Sequence, residues 1–533
     1  MLPAAEAPVR RRGRLLQSAF REAVRSGRLR AGTLLPSSRE LARDLGVSRG
    51  LVTEAYGQLL AEGYLTSRQG AGTWVAGLPG TTADARTNGG SYGAPGTATG
   101  PRTGPDTTPG RTPGTTTDAP TNGRSPGAPG TAARIGAAPR AGAAAPPTQR
   151  PGRSPDPAPV GGRAVVDFRP GLADLAAFPR AGWAAALRGA LDRLPHAALD
   201  YPDPRGLPEL REALAELLAR RRGVAVDPDG LVVCSGVAQA LGLLGRVLYG
   251  RGQRAVALED PGSPGQLPLF TAAGLRCLPL PVREDGPDLA VLEHSGARAV
   301  VVTPSHQFPT GVAPGPVHRA ALLGWAERCG GLVVEDDYDG DFRYDRAPVG
   351  ALQGLAPDRV AYTGSVSKSL APGLRLGWLV PPPGLLAEVV EAKRVTDLGN
   401  AVLEQAAFAE FVRSGRYDRQ LRRCQRHYRR RRDVLIGALG RELPAVRVAG
   451  IAAGLHLVAR FPAEYGDAGR VRAAAAGAGV RLRPMADHRL EGHRLDGGGP
   501  ADFVLGYAHL TPPEIERAVT AVAAALHRSR TGV

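Results

Sequence analysis

Lys368 is the residue with the most chemistry to offer. The chain holds 67 lysines and arginines, and only Lys368 and Lys393 are lysines. Arginine stays protonated, whereas a lysine amine can lose its proton and form a Schiff base. A sequence that writes arginine wherever positive charge suffices has a reason to keep Lys368; Lys393 reads equally well as a chance survivor. Lys368 sits in Thr363-Gly-Ser-Val-Ser-Lys-Ser-Leu-Ala-Pro-Gly-Leu-Arg375. Upstream, Glu335-Asp336-Asp337-Tyr338 follows a short apolar run. A carboxylate there can pair with a protonated ring nitrogen, and the tyrosine hydroxyl can bond a phenolate oxygen. Ser365, Ser367 and Arg375 can grip a phosphate, as can the free N–H groups where Gly236-Val237-Ala238 opens a helix. Singly, Asp336 or Arg375 reads as a surface ion pair. Together, an amine, a ring partner and a phosphate cup point to pyridoxal 5′-phosphate, with Lys368 forming the aldimine.

These groups need elements to position them. Short apolar runs at 231–234, 255–258, 299–302, 332–334 and 359–362 read as strands, with a helix at 239–248. Strands alternating with helices predict a largely parallel sheet, with ligands at its C-terminal ends. Nine arginines lie between Arg416 and Arg432 on a predicted helix, either a solvated or dimer-rim face or a second DNA-facing stripe. Segments 434–443 and 455–459 begin a small C-terminal part that ends in a helix at 513–526.

The N-terminal stretch has a different pattern. Apolar residues at helical spacing over 14–26 give a first helix. Ser37-x-x-Glu40 is a capping box for a second, which stops at Gly46. Ser48 caps a third, whose apolar face is Leu51, Val52, Ala55, Tyr56, Leu59 and Leu60. Two short helices around a glycine turn form the helix-turn-helix pattern. Its second helix exposes Ser48, Arg49, Gly50 and Thr53 where side chains reach base edges. Strands at 64–66 and 72–75 enclose a basic wing containing Arg68, Gly70 and Gly72. Residues 1–77 hold 12 arginines against six carboxylates, a balance suited to DNA phosphates. A generic helical interaction module is the blander reading.

Composition bounds the rest. The formal charge of +17 favours an anionic partner, although arginine-rich coding alone inflates it. The four cysteines form no CxxC pair or His/Cys metal cluster, so they read as buried thiols in a reducing compartment. No apolar run is long enough for a membrane span or signal peptide, and a cytoplasmic location is expected. Between 78 and 162, Gly, Pro, Thr, Ala and Ser dominate, and TNGGSYGAPGT recurs as TNGRSPGAPGT. Such a segment cannot offset its ordering entropy and reads as a disordered linker. At about 50 Å r.m.s. it can hold the DNA-reading module loosely, far from its partner domain.

The stretch SGRLRAGTLLPSSRELARDLGVSRGLVTEAYGQLLAEGYLTSRQGAGTWV resembles the GntR-type winged helix, a mainly α fold. The resemblance implies Ser37, Ser38, Arg39, Ser48, Arg49, Thr53, Arg68, Gly70 and Gly72 as DNA contacts, with Gly50 a departure from a larger polar residue. The motifs DFRPGLADLAAFPR, TPSHQFPTG, VVEDDYDGDFRYD and GSVSKSLAPGLRLGW resemble fold-type I aminotransferases. Both together resemble MocR-type regulators of the GntR superfamily. That implies a winged helix at 8–77, the linker at 78–162 and an α/β pyridoxal phosphate domain at 163–533, divided near 430. It implies Lys368 as the cofactor lysine, Asp336 as the pyridine-nitrogen partner and Tyr338 as the O3′ partner. It also implies a homodimer, each DNA module crossing to the other subunit, that responds to the cofactor or to an amine or amino acid adduct of it. Val237 and Ala238 stand where relatives have Ser and Gln, and Ser263 where an aromatic residue is common. Val504 stands where aminotransferases carry the arginine that grips a substrate carboxylate. Sensing is therefore favoured over turnover, and a working aminotransferase tethered to DNA is the alternative.

Overall fold

The computed structural model describes residues 9–68, 72–77, 165–345, 349–490 and 501–531. The expected linker and Gly70 lie outside the described residues.

Three helices build the N-terminal module: α1 (Val9–Arg25), α2 (Ser38–Asp44) and α3 (Arg49–Glu62). The capping box is present: the Glu40 amide donates to Ser37 Oγ at 3.2 Å, and the Ser37 amide to Glu40 at 2.9 Å. Ser48 caps α3, accepting from the Leu51 amide at 3.3 Å. Leu16, Phe20, Val52, Ala55, Tyr56 and Leu59 are buried where these helices meet. The wing is an antiparallel pair, β1 (Leu65–Arg68) and β2 (Gly72–Val75). α1 starts earlier than its apolar spacing suggests, because the run Arg10–Arg12 carries no periodic signal.

The module is not held loosely. Its core is continuous with apolar residues of the larger body, including Leu322, Leu352, Leu355 and Val360, and a single compact unit contains both. The expectation of a distant, tethered module is corrected here: linker length sets reach, but Tyr64, Leu65 and their neighbours give the module an apolar seat that linker composition cannot reveal.

The body carries an eight-stranded sheet in the order Val232–Cys234, Gly377–Val380, Val360–Ser365, Leu332–Asp336, Ala299–Val302, Ala255–Asp260, Arg276–Arg283, Gly286–Pro287. The pairs from Val360–Ser365 through to Arg276–Arg283 are parallel. Gly377–Val380 runs antiparallel to both its neighbours. The central strands are buried along their length, so they read as apolar runs without alternation. In Arg276–Arg283, Pro279 and Pro281 lie two apart and turn the same edge outward. There the next strand pairs only with Val282 and Arg283, so no ladder bond is lost.

A four-stranded antiparallel sheet, in the order Arg447–Ala449, His456–Phe461, Ala501–Gly506, Arg483–Pro484, forms the C-terminal layer. The arginine-rich segment is part of one 27-residue helix, Arg416–Glu442, and the expected division near 430 falls inside it. Its buried face is Tyr417, Leu421, Cys424, Tyr428, Leu435 and Leu439, while Arg422, Arg423, Arg426, Arg429 and Arg430 are exposed. Among the described residues no helix is long and apolar enough to cross a membrane. All four cysteines are free; Cys234 and Cys424 are buried, and Cys277 and Cys329 are half-buried rather than buried.

Candidate cofactor site and DNA-reading surface

The sequence-predicted groups converge at the C-terminal ends of the central strands. Val360–Ser365 and Gly377–Val380 form a hairpin with Ser365 opposite Gly377, and its connecting loop carries Lys368 and Arg375. Lys368 Nζ donates to the Gly171 carbonyl at 2.6 Å. Burial lowers its pKa below the ordinary lysine value, against a partial upward pull from Asp336 and Asp339. A lysine in that position offers a neutral, nucleophilic amine more readily than an exposed one.

Asp336 ends the neighbouring strand and is buried. Its Oδ2 accepts from Gln266 Nε2 at 3.0 Å, while its Oδ1 has no hydrogen-bond partner among the described residues. Burial, with help from Asp337, raises its pKa to about 6. A buried acceptor with a spare oxygen suits the N–H of a protonated ring. The Tyr338 hydroxyl donates to the His306 carbonyl at 3.0 Å and lies 3.1 Å from His306 Nδ1, which itself sits 2.9 Å from Asp339 Oδ2. His456 packs against His306, and polar side-chain atoms of His306, Asp339 and His456 lie within 4.8 Å of one another. The sequence reading missed these three residues, which come from segments far apart in the chain. They form a polar backing for Tyr338.

The phosphate end is built from close backbone approaches. Gly236 caps the helix Val237–Gly250 at φ +86, where a side chain is strained. A Cβ there would also lie 3.3 Å from the Arg375 guanidinium. At Gly377 a Cβ would lie 2.7 Å from the Gly236 Cα. Arg375 is itself left-handed, at φ +50, and its guanidinium donates to the Ser235 carbonyl. Ser365 Oγ accepts from the Ser367 amide at 3.4 Å, tightening the turn before Lys368. Val237 and Ala238 contribute helix N–H groups alone, and Ser235, bonded by Asn400 at 2.7 Å, adds a hydroxyl that sequence reading passed over. Lys368, Tyr338 and Arg375 thus each donate to a main-chain carbonyl, and Asp336 keeps an oxygen free. These residues fit pyridoxal 5′-phosphate.

Val504 is fully buried, facing Val458 on one neighbouring strand and Arg483 on the other. Arg483 donates to Asp167 at 3.1 Å. Lys393, the other lysine, is buried and pairs with Asp397 at 2.9 Å, so its role is structural.

On the N-terminal module, Ser48, Arg49 and Thr53 are exposed at the start of α3. Ser37 and Arg39 are exposed and Ser38 half-buried at the start of α2. The Ser37 and Ser48 hydroxyls are engaged as caps, which leaves Arg39, Arg49 and Thr53 as the freer side chains. Gly72 opens β2 at φ +127, and Arg68 closes β1.

Residues 179–522 match the family model for aminotransferase class I and II, and residues 16–75 that for bacterial regulatory proteins of the gntR family. The chain is 33% identical to the probable rhizopine catabolism regulatory protein MocR of Rhizobium meliloti, over 96% of this chain and 93% of the relative. It is 29% identical to the pyridoxine biosynthesis transcriptional regulator PdxR of Corynebacterium glutamicum, covering 83% and 82%. Among solved structures it is similar to LysN, an alpha-aminoadipate aminotransferase of Thermus thermophilus complexed with N-(5′-phosphopyridoxyl)-L-leucine. The TM-score is 0.60 and identity 30%, covering 69% of this chain and 94% of that one.

Proposed function

The chain belongs to the aminotransferase class I and II family, with a gntR-family DNA-binding domain ahead of it, and from that premise we propose a transcriptional regulator that senses pyridoxal 5′-phosphate. The reading is supported by the convergence of Lys368, Asp336, Tyr338 and Arg375 in one compact unit with a helix-turn-helix, together with the buried Val504. Bound cofactor supplies an aldehyde carbon that condenses reversibly with primary amines. Lys368 presents the amine that holds it. Asp336 accepts the ring N–H and so keeps the ring protonated. Tyr338, backed by His306, presents its hydroxyl to the ring oxygen. Arg375, the Ser365 and Ser367 groups and the amides after Gly236 bind the phosphate. With Val504 no arginine from that strand position grips a carboxylate, so an amine or amino acid adduct is held for recognition more than for turnover.

The protein acts on double-stranded operator DNA in the cytoplasm, with Ser37, Ser38, Arg39, Ser48, Arg49, Thr53, Arg68, Gly70 and Gly72 as the contact set. A homodimer is supported by apolar surface. Tyr201 is 82% exposed and Leu398 48% exposed. Sedimentation of the cofactor-loaded chain checks this.

The functional test is binding to the gene's own upstream DNA with cofactor, without it, and after Lys368→Ala. A cofactor-dependent change of affinity that disappears in the variant is expected; equal affinity in all three sinks the sensing reading. One observation motivates working transamination as a second reading: Arg483, whose guanidinium is bonded to Asp167, is the cross-strand partner of Val504. Rapid conversion of the bound cofactor to its amine form by a common amino acid, seen by absorbance, would establish it.

A further inference from the structure

Three buried polar residues bring loops of the large sheet against the C-terminal sheet. His306 lies in the loop after strand Ala299–Val302, Asp339 in the loop after Leu332–Asp336, and His456 opens the strand His456–Phe461. None of the three is more than 4% exposed. A polar side-chain atom of each lies within 4.8 Å of those of the other two.

Their partners decide which atoms have lone pairs to give. His456 Nε2 is 3.2 Å from the Pro309 carbonyl, which can only accept, so Nε2 carries the hydrogen. A second hydrogen, on Nδ1, would be buried without an acceptor, because Nδ1 has no hydrogen-bond partner among the described residues. The ring is therefore neutral, with a lone pair on Nδ1. Asp339 Oδ1 is also buried without a partner among the described residues. Folded interiors leave few polar atoms in that state, and two in one cluster call for an occupant. A water, with two hydrogens to give, is the competing one.

The arrangement favours a cation. His306 Nδ1 and Asp339 Oδ2 are 2.9 Å apart. Ligand atoms around a tetrahedral ion with bonds of about 2.0 Å stand about 3.3 Å apart. An ion can replace the hydrogen between them, which moves to His306 Nε2, while both side chains stay nearly in place. The bond from His456 Nε2 to a main-chain carbonyl is the support that holds a metal-bound histidine in one tautomer. A Cβ at Gly454 would collide with Asp339 Oδ2 and the His306 ring, so glycine keeps that side of the cluster open.

We propose that His306, Asp339 and His456 form a site for one divalent first-row transition ion, with zinc the best match. Two imidazoles and a carboxylate are the donors zinc takes in three-ligand sites, whereas magnesium and calcium take oxygen shells. Its ligands come from both sheets, so the ion ties the two together. The inference stands apart from the sensing reading, since it needs neither DNA nor a response to cofactor.

The test uses the full chain with its cofactor bound, stripped by a chelator and then given Zn2+ alone. One zinc ion per chain survives gel filtration. X-ray absorption shows imidazole and carboxylate ligands at about 2.0–2.2 Å and no sulfur at about 2.3 Å. His456→Ala and Asp339→Asn each weaken binding by at least about 100-fold, beyond what loss of a merely supporting residue costs. Cys277→Ser and Cys329→Ser leave it within about twofold. Zinc at about 100 times its dissociation constant raises the thermal midpoint of the wild type by about 3 °C and leaves the two ligand variants unmoved. The wild-type absorption spectrum decides the matter even where a variant fails to fold. No retained zinc, a sulfur or phosphorus neighbour in the spectrum, or equal affinity in wild type and both ligand variants overturns the site and leaves the sensing reading standing.

Discussion

Asp336→Asn makes the cofactor-free protein more stable at alkaline pH. In the folded chain burial raises the Asp336 pKa from an ordinary 3.8 to about 6. The folded state therefore binds the proton more tightly than the unfolded state. Stability falls as pH rises from about 4 to about 6 and the loss is complete above that window. A displacement of about two units corresponds to about 3 kcal/mol. Asparagine keeps an oxygen for Gln266 and removes the buried charge. Over a body of about 370 residues, with an unfolding entropy of about 2.1 cal/mol/K per residue, the gain is about 4 °C in thermal midpoint. Calorimetry of the cofactor-free wild type and variant at pH 8 and pH 4.5 is the assay. At pH 4.5 the gap narrows to about a third of its value at pH 8, because the folded wild type then carries the proton. Saturating pyridoxal phosphate raises the midpoint of the wild type more than that of the variant, whose ring partner is gone. No gap at pH 8, or the same gap at both values, refutes the reasoning.

Arg375→Lys loses the planar fork beside Gly236 and weakens cofactor binding by about 10- to 100-fold, the worth of a charge-assisted bond, read by absorbance titration. Gly236→Ala adds strain of about 1–3 kcal/mol at φ +86 and a methyl against Arg375, so cofactor affinity falls while the sheet still melts cooperatively. Ser48→Ala removes the cap of α3 at a cost of about 1 kcal/mol and lowers DNA affinity without altering cofactor absorbance. Arg49→Ala flattens the salt dependence of DNA binding by about one in log–log slope if it contacts a phosphate; an unchanged slope assigns it to a base edge or to solvent.

The parts of the site legible in sequence are those whose chemistry is local. Lys368 stands out because arginine replaces lysine nearly everywhere else, and Asp336 and Tyr338 because they follow an unbroken apolar run. The capping box at Ser37 and Glu40 needs four consecutive residues and was equally plain. Gly171, Gln266, His306, Asn400 and His456 were not legible, since each enters the site from another element and none has a neighbour that marks it. Gly377–Val380 escaped because four residues carry no period, and because an antiparallel insertion follows from tertiary pairing rather than from pattern. The module's apolar seat escaped for the same reason: Tyr64, Leu322 and Leu352 come from segments far apart in the chain.

The helix Arg416–Glu442 has a mechanical consequence. At 1.5 Å per residue it is a strut about 40 Å long. Near one end Tyr417 bonds Ser369, next to Lys368, at 2.9 Å, and Tyr428 donates to the Lys368 carbonyl at 3.1 Å. The other end packs beside the helix Pro512–Thr531 of the C-terminal layer. The lysine loop and the C-terminal layer are therefore joined through one continuous rigid element, and cutting the gene near codon 430 would divide it, so neither fragment would be an autonomous half.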